Sequence, residues 1–208
     1  VTHVEGKMAG QPYILEVHEQ AFIANLFGWK DKDGYRRFKE VLFYIPRKNS
    51  KTTLVAGMVL YVLFCDGEEG AQCYCAAADR EQAKLLFDIV ERMVNNNPIL
   101  ENMVQIFAST KTIKYHKQNS YFKAISSEAN SKHGFNAHLA IIDELHAQKD
   151  SELFNVLKTS MGTRNKPLMV SMTPVDYDSP SLCNENLDCA HKVQQGNTPN
   201  SSILPCVS

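Results

Sequence analysis

Several chemistries are excluded by what the sequence does not contain. Its six cysteines, Cys65, Cys73, Cys75, Cys183, Cys189 and Cys206, form no CxxC pair and no His/Cys group at zinc-ligand spacing. A zinc framework and a thioredoxin-type redox centre are thereby set aside. There is no charge excess: 22 Lys and Arg stand against 23 Asp and Glu, for a net charge of −1. Any nucleic-acid contact must then come from a local patch. No apolar run is long and clean enough to span a bilayer, and the longest, ending at Phe64, is stopped by Asp66-Gly67-Glu68-Glu69-Gly70. Residues 1–12 lack a signal-peptide pattern and read as a polar, poorly ordered lead-in, so a reducing cytosolic setting is expected. A length of 208 residues suits one α/β domain with a substantial core, not two large catalytic domains.

What the sequence does contain is organised around Val41 to Phe64, VLFYIPRKNSKTTLVAGMVLYVLF. The aromatic-rich run Val41 to Ile45 predicts a buried strand, Pro46 to Ser50 a polar loop, and Lys51-Thr52-Thr53 the start of an apolar helix. A loop turning directly from strand into helix aims backbone N–H groups and the positive helix end at one spot, where a polyphosphate can sit. A lysine there supplies a mobile cation for β- and γ-phosphates, and the following hydroxyl can hold Mg²⁺, roles that Lys51 and Thr52 fit. Glycine is scarce in this loop: GxxxxGK[ST] would place it at positions 45 and 50, which are Ile45 and Ser50. The same lysine and threonine also suit the start of an ordinary core helix, so the loop alone leaves both readings open.

Upstream, Ile14, Leu15, Val17, Phe22, Ile23, Leu26 and Phe27 recur at helical spacing and end at Gly28-Trp29. A helix at that place can flank an adenine, with Glu19 or Gln20 as hydrogen-bonding candidates. Downstream, Ala71 to Ala77 predicts a strand carrying Cys73 and Cys75 as small core residues, and Asp79 caps a helix to about Val94 with Gln82 at the capping-box position. Asn95-Asn96-Asn97-Pro98 ends it. Thr112 to Lys117 and Tyr121 to Ser126 predict a hairpin around Gln118-Asn119-Ser120. Lys111, Lys114, Lys117 and Lys123 with Tyr115, His116 and Tyr121 make it basic and aromatic, which fits either a solvated face or contact with a phosphate backbone.

Two further segments point to the phosphate loop. His138-Leu139-Ala140-Ile141-Ile142 runs into Asp143-Glu144, a buried strand whose C-terminal end delivers adjacent carboxylates to the crevice where α/β sheets bind ligands. In a nucleotide hydrolase Asp143 would support the Mg²⁺ shell and Glu144 would polarise the attacking water. Leu168 to Thr173 is another apolar strand, ending in Ser171 and Thr173, hydroxyls able to sense a γ-phosphate or simply to make a turn. Between the two strands, Ser151 to Met161 predicts a helix with Ser151 as N-cap. In combination these segments predict a nucleotide hydrolase using Mg²⁺, in a P-loop NTPase three-layer α/β sandwich. Its central sheet is expected to be mainly parallel and of the ASCE type, with an additional strand and a catalytic glutamate, and the 112–126 hairpin would be an accessory.

The residues resemble a known family, the N-terminal ATPase domain of the large terminase subunit of tailed double-stranded DNA phages. PYILEVHEQAFIANLFGW (Pro12 to Trp29), IPRKNSKTTLVAG (Ile45 to Gly57), SSEANSKHGFNAHLAIIDELHA (Ser126 to Ala147) and PLMVSMTP (Pro167 to Pro174) carry the likeness. A glycine-poor loop rich in Arg and Lys is usual in these motors. The resemblance implies an ATPase that drives double-stranded DNA into a procapsid, with a portal ring and a small terminase subunit as partners. It implies a homo-oligomeric ring once assembled, leaves open whether the isolated chain is a monomer, and implies no membrane and a site of action in the host cell cytoplasm. It makes Pro46, Arg47, Lys48, Asn49, Ser50, Lys51, Thr52 and Thr53 nucleotide-binding, Arg47 a finger on the γ-phosphate, and Glu144, Arg47 and Lys51 catalytic. Ser171-Met172-Thr173 become the coupling motif. The family's adenine-side glutamine falls near Glu19 and Gln20, although its usual tryptophan-glutamine pair reads His18-Glu19 here. Lys132 and Arg164 are the basic residues considered for action on a neighbouring subunit, or else as solvated charges. Residues 1–178 are expected to form the ATPase domain and 179–208 a linker or lid remnant, with no nuclease domain in this chain. The rival readings are another DNA-dependent P-loop ATPase such as a helicase, and a nucleotide-binding assembly module with little hydrolysis.

Overall fold

A computed structural model describes residues 1–44, 51–77, 80–126, 134–143, 152–173 and 202–207, the side chains of residues 44, 80, 173 and 205–207 excepted. The elements in chain order are α1 (Val17–Gly28), β1 (Glu40–Tyr44), α2 (Lys51–Phe64), β2 (Gln72–Ala77), α3 (Arg80–Asn95), α4 (Pro98–Glu101), β3 (Val104–Phe107), β4 (Thr112–Tyr115), β5 (Ser120–Ser126), β6 (Ala137–Ile142), α5 (Glu152–Ser160), β7 (Leu168–Thr173) and β8 (Ile203–Val207). The strands form one sheet in the order β3-β4-β5-β2-β6-β7-β1-β8. Every neighbouring pair is parallel except β3 with β4 and β4 with β5, so only β4 runs against the rest. No helix among the described residues is long and apolar enough to cross a membrane.

The layers follow from side-chain periodicity. Along β2, Cys73 and Cys75 enter the core under α1, α2 and α3, while Tyr74 and Ala76 enter a second core with Leu153, Phe154 and Leu157 of α5. Helix, sheet and helix thus stack as the sequence predicts. α2 is apolar almost all round and correspondingly buried, from Leu54 through Leu63. α3 is amphipathic: Ala83, Leu86, Phe87, Val90, Met93 and Val94 are fully or nearly fully buried at helical spacing. Asn97 caps α4 by accepting from the N–H groups of Ile99 and Leu100, and Pro98 takes the first helical position.

Three sequence expectations change. The hairpin is part of the main sheet, because β5 pairs in parallel with β2 along its full length. Its turn places Asn119 at φ +51, a left-handed conformation that asparagine tolerates. Ile203–Val207 is an edge strand parallel to β1, so this part of residues 179–208 joins the main sheet; Pro205 is accommodated because an edge strand can forgo one ladder donor. The first twelve residues fold back on themselves through a Thr2–Pro12 bridge and hydrogen bonds from His3 to Gln11 and Gly10 to His3, and Arg92 of α3 pairs with Glu5 at 2.8 Å. They are an ordered flap.

The N-terminal edge of the parallel strands is tied by one carboxylate. Asp66, after α2, accepts from Arg36 at 2.8 Å and lies 2.7 Å from His138 Nε2 at the start of β6. Lys166, just before β7, donates to the Asp66 backbone carbonyl and has its Nζ 3.9 Å from the carboxylate. Arg36 is 1% exposed and His138 0%. Burial alone would push the Asp66 carboxyl up, but the His138 hydrogen bond and the Arg36 and Lys166 charges outweigh it and hold the group below its usual range.

Removing this acid leaves a buried guanidinium without its partner. Asp66→Ala is expected to destabilise the fold by about 3–5 kcal/mol in urea unfolding. The wild-type contribution is complete above the unfolded carboxylate pKa of about 3.9 and is lost as pH falls through the lower folded value. Urea midpoints measured between about pH 6 and about pH 2 should therefore fall more steeply for wild type than for Asp66→Asn; parallel curves would contradict the clamp.

Candidate functional site

The opposite, C-terminal edge of the strands is where the expected site residues converge. β7 lies between β1 and β6, with Ser171 flanked by Leu42 on one side and Ile142 on the other. Tyr44, the last residue of β1, pairs with Thr173. Asp143 follows Ile142 directly, and its N–H donates to the Ala76 carbonyl at 2.9 Å, which fixes the acid at the end of β2. The loop end of β1, the polar tip of β7 and the acid of β6 therefore stand side by side. This interposed strand is the additional strand expected of the ASCE type.

Lys51 opens α2, and its Nζ is buried without a hydrogen-bond partner among the described residues. Such an ammonium is costly to keep unless an anion completes it. Thr52 and Thr53 are half-buried in the same first turn. Thr52 and Asp143 offer hydroxyl and carboxylate oxygen, the hard donors that suit Mg²⁺. The Cys75 thiol beneath them is pushed up by burial and then by the Asp143 charge, which makes it an inert core group. Ser171 is nearly buried and Met172 fully so. Pro46, Arg47, Lys48, Asn49, Ser50, Lys132 and Glu144 lie outside the described residues.

α1 flanks the loop end of β1 through Phe22, whose ring meets Phe43 at 4.8 Å. Its Glu19 is committed to structure: the carboxylate accepts from Tyr13 at 2.6 Å and from the Glu16 N–H at 2.9 Å, and the residue is 5% exposed. One oxygen closes the helix start in a capping box with the Glu16 N–H and the other holds Tyr13, so both are engaged in local structure. Burial and this hydrogen bond together push the Tyr13 phenol up. Gln20 is exposed and donates to the Leu15 carbonyl at 2.7 Å, so it remains the reachable residue of the two.

The family model for the terminase large subunit ATPase domain matches residues 18–192. This chain belongs to that family. The large terminase subunit of Enterobacteria phage HK97 is 30% identical over 191 residues, covering 90% of this chain and 37% of the relative. The crystal structure of the HK97 large terminase superposes with a TM-score of 0.81 at 28% identity, over 95% of this chain and 40% of that one. The large terminase of a thermophilic bacteriophage in complex with ATP-gamma-S matches with a TM-score of 0.53 at 10% identity, over 84% of this chain and 47% of that one, a likeness of fold alone. This terminase ATPase chain spans well under half the length of the HK97 relative.

Arg164 corrects one expectation for this terminase domain. It precedes β7 at the N-terminal edge of the sheet, far from the loop end. Its guanidinium pairs with Glu68 at 2.9 Å and donates to the carbonyls of Gly70 and Asn136 and to the Asn136 side chain. The arginine stitches the starts of β2, β6 and β7 together and is not a solvated charge. The Asp66 cluster was not expected from the sequence; its one signal there was His138, a lone histidine opening an otherwise apolar strand.

Arg164→Ala is expected to lower stability by about 1.5–3 kcal/mol in thermal or urea unfolding. Nucleotide affinity of the folded variant should stay within about twofold of wild type. A variant of unchanged stability that loses hydrolysis only in assembled rings would instead support action in trans.

Proposed function

We propose that this chain is the ATP-hydrolysing motor domain of a phage large terminase, driving double-stranded genome DNA into a procapsid. The observation that carries the reading is the buried ammonium of Lys51, which has no hydrogen-bond partner among the described residues and opens α2, the helix that follows β1 in the chain. The thermophilic phage's terminase holds ATP-gamma-S on the same fold. A polyphosphate supplies the negative charge that Lys51 lacks, and the N-terminus of α2 adds its N–H groups and positive dipole end.

In the proposed mechanism the backbone amides of residues 47–52 and the Lys51 ammonium hold the β- and γ-phosphates in place. Thr52 and Asp143 would hold Mg²⁺, which would supply charge screening for the phosphates. Glu144, following Asp143, orients water for in-line attack and takes up its proton. Arg47 neutralises charge that develops on the γ-phosphoryl oxygens. Ser171-Met172-Thr173, packed between β1 and β6, relays the change at the site into movement of the sheet edge. The partners are duplex DNA, a portal ring, a small terminase subunit and further copies of the chain in a ring, in the host cell cytoplasm.

Steady-state hydrolysis of ATP with Mg²⁺ tests the assignment. Glu144→Gln is expected to lower turnover about 10²–10⁴-fold while keeping nucleotide binding. Lys51→Ala should lose binding. Full turnover in Glu144→Gln would overturn the mechanism, and tight binding without turnover in wild type would favour the assembly-module reading.

A further inference from the structure

The way α1 is hung decides which of its residues reach the nucleotide edge. Phe22 meets Phe43 near the loop end of β1, while Phe27 meets Tyr61 at 4.5 Å, late in α2 and toward the opposite edge of the sheet. The start of α1, with Glu19 and Gln20, therefore lies at the edge where Lys51 opens α2. Little packing holds that first turn: between residues 16 and 21 Glu19 alone is buried, and Val17 is 83% exposed. Gln20 is exposed there, and its amide donates to the Leu15 carbonyl at 2.7 Å. The amide's second N–H and its carbonyl oxygen remain, a donor and an acceptor side by side.

What fixes the turn is polar. The Glu19 carboxylate, in a residue 5% exposed, receives the Tyr13 hydroxyl at 2.6 Å through one oxygen and the Glu16 N–H at 2.9 Å through the other. A hydroxyl donating to a carboxylate at that distance makes a strong, charge-assisted bond. Tyr13 is itself held from behind: its N–H donates to the Val1 carbonyl at 3.0 Å, and the His3 ring sits edge-on to it at 5.0 Å. The flap that carries Val1 and His3 is anchored on α3 by Glu5 and Arg92. Without the hydroxyl a buried carboxylate oxygen loses its partner, and relief comes from the first turn of α1 shifting toward water, taking Gln20 with it.

We infer that Tyr13 and Glu19 are positioning residues for base selection, a latch that holds the Gln20 amide against the edge of the nucleotide's base; the inference rests on the nucleotide-hydrolase function proposed above. Adenine offers an amino donor beside the N7 acceptor, which an amide meets with both of its groups, whereas guanine offers two acceptors at the same edge. A fixed amide therefore prefers ATP over GTP. A loose one loses that preference before the site loses the phosphates, which Lys51 and the start of α2 hold from another element. In this role neither Tyr13 nor Glu19 touches the nucleotide.

Titration calorimetry of the whole chain with ATP and with GTP, each with Mg²⁺, reads the preference as a ratio of affinities. Gln20→Ala is expected to lower the ratio about tenfold, the scale of one bidentate base contact. Tyr13→Phe should lower it by about threefold to about tenfold with GTP affinity nearly unchanged, the GTP affinity reporting a folded site. In the Gln20→Ala background Tyr13→Phe should lower it no further, since it acts only through that amide. Glu19→Gln, which can accept from the Glu16 N–H and donate to the Tyr13 oxygen, should keep the ratio within about twofold of wild type. An unchanged ratio in Tyr13→Phe, an equal further loss in the double variant, or a wild type without preference for ATP would each overturn the latch and leave the motor reading standing. Binding of neither nucleotide by wild type would overturn the motor reading and the latch with it.

Discussion

The order of the parallel strands constrains everything else in this domain. Parallel neighbours are joined by crossovers that return each strand to the same edge, so all C-terminal strand ends open on one side. With β7 set between β1 and β6, the end of the loop strand, a hydroxyl-bearing tip and the acid at Asp143 fall in line without further adjustment. The crevice outside these strand ends is where open α/β sheets place their ligands.

Charge is distributed unequally between the two edges. At the N-terminal edge, Asp66 gathers Arg36, His138 and Lys166, and Arg164 gathers Glu68, Gly70 and Asn136. These buried ions are answered from within the chain, and they fasten the starts of β2, β6 and β7 to the end of α2. At the C-terminal edge Lys51 has no such answer among the described residues. On the proposed function, that open charge is where the nucleotide's phosphates bind.

Much of this was legible in the sequence because the signals were periodic. The apolar run into Lys51, the apolar strand into Asp143 and the 3.6-residue pattern of α3 each report a local rule, and each element stands where expected. What escaped depends on distant partners. β8 is a short, proline-containing segment whose identity as a strand comes from pairing with β1, and no local pattern in residues 203–207 announces it. β3 was missed although Val104 and Ile106 alternate with Gln105 and Phe107, since four residues carry little signal. The local role of Glu19 escaped for a related reason: a carboxylate near a ligand site and a carboxylate closing a helix look alike until Tyr13 is seen 2.6 Å away. Arg164 is the same case at larger range, a basic residue before β7 whose partners lie before two other strands, β2 and β6.

The central claim is that the Lys51 ammonium is held for a polyphosphate at the expense of the nucleotide-free fold. Thermal unfolding of wild type and Lys51→Met, each with and without ATP-gamma-S and Mg²⁺, tests it most directly. Methionine keeps the volume and removes the unanswered charge. The variant is expected to melt at or above wild type without nucleotide and to gain nothing from it, whereas wild type rises on binding. A variant that melts well below wild type when nucleotide-free, or that gains as much from the nucleotide, would contradict the account.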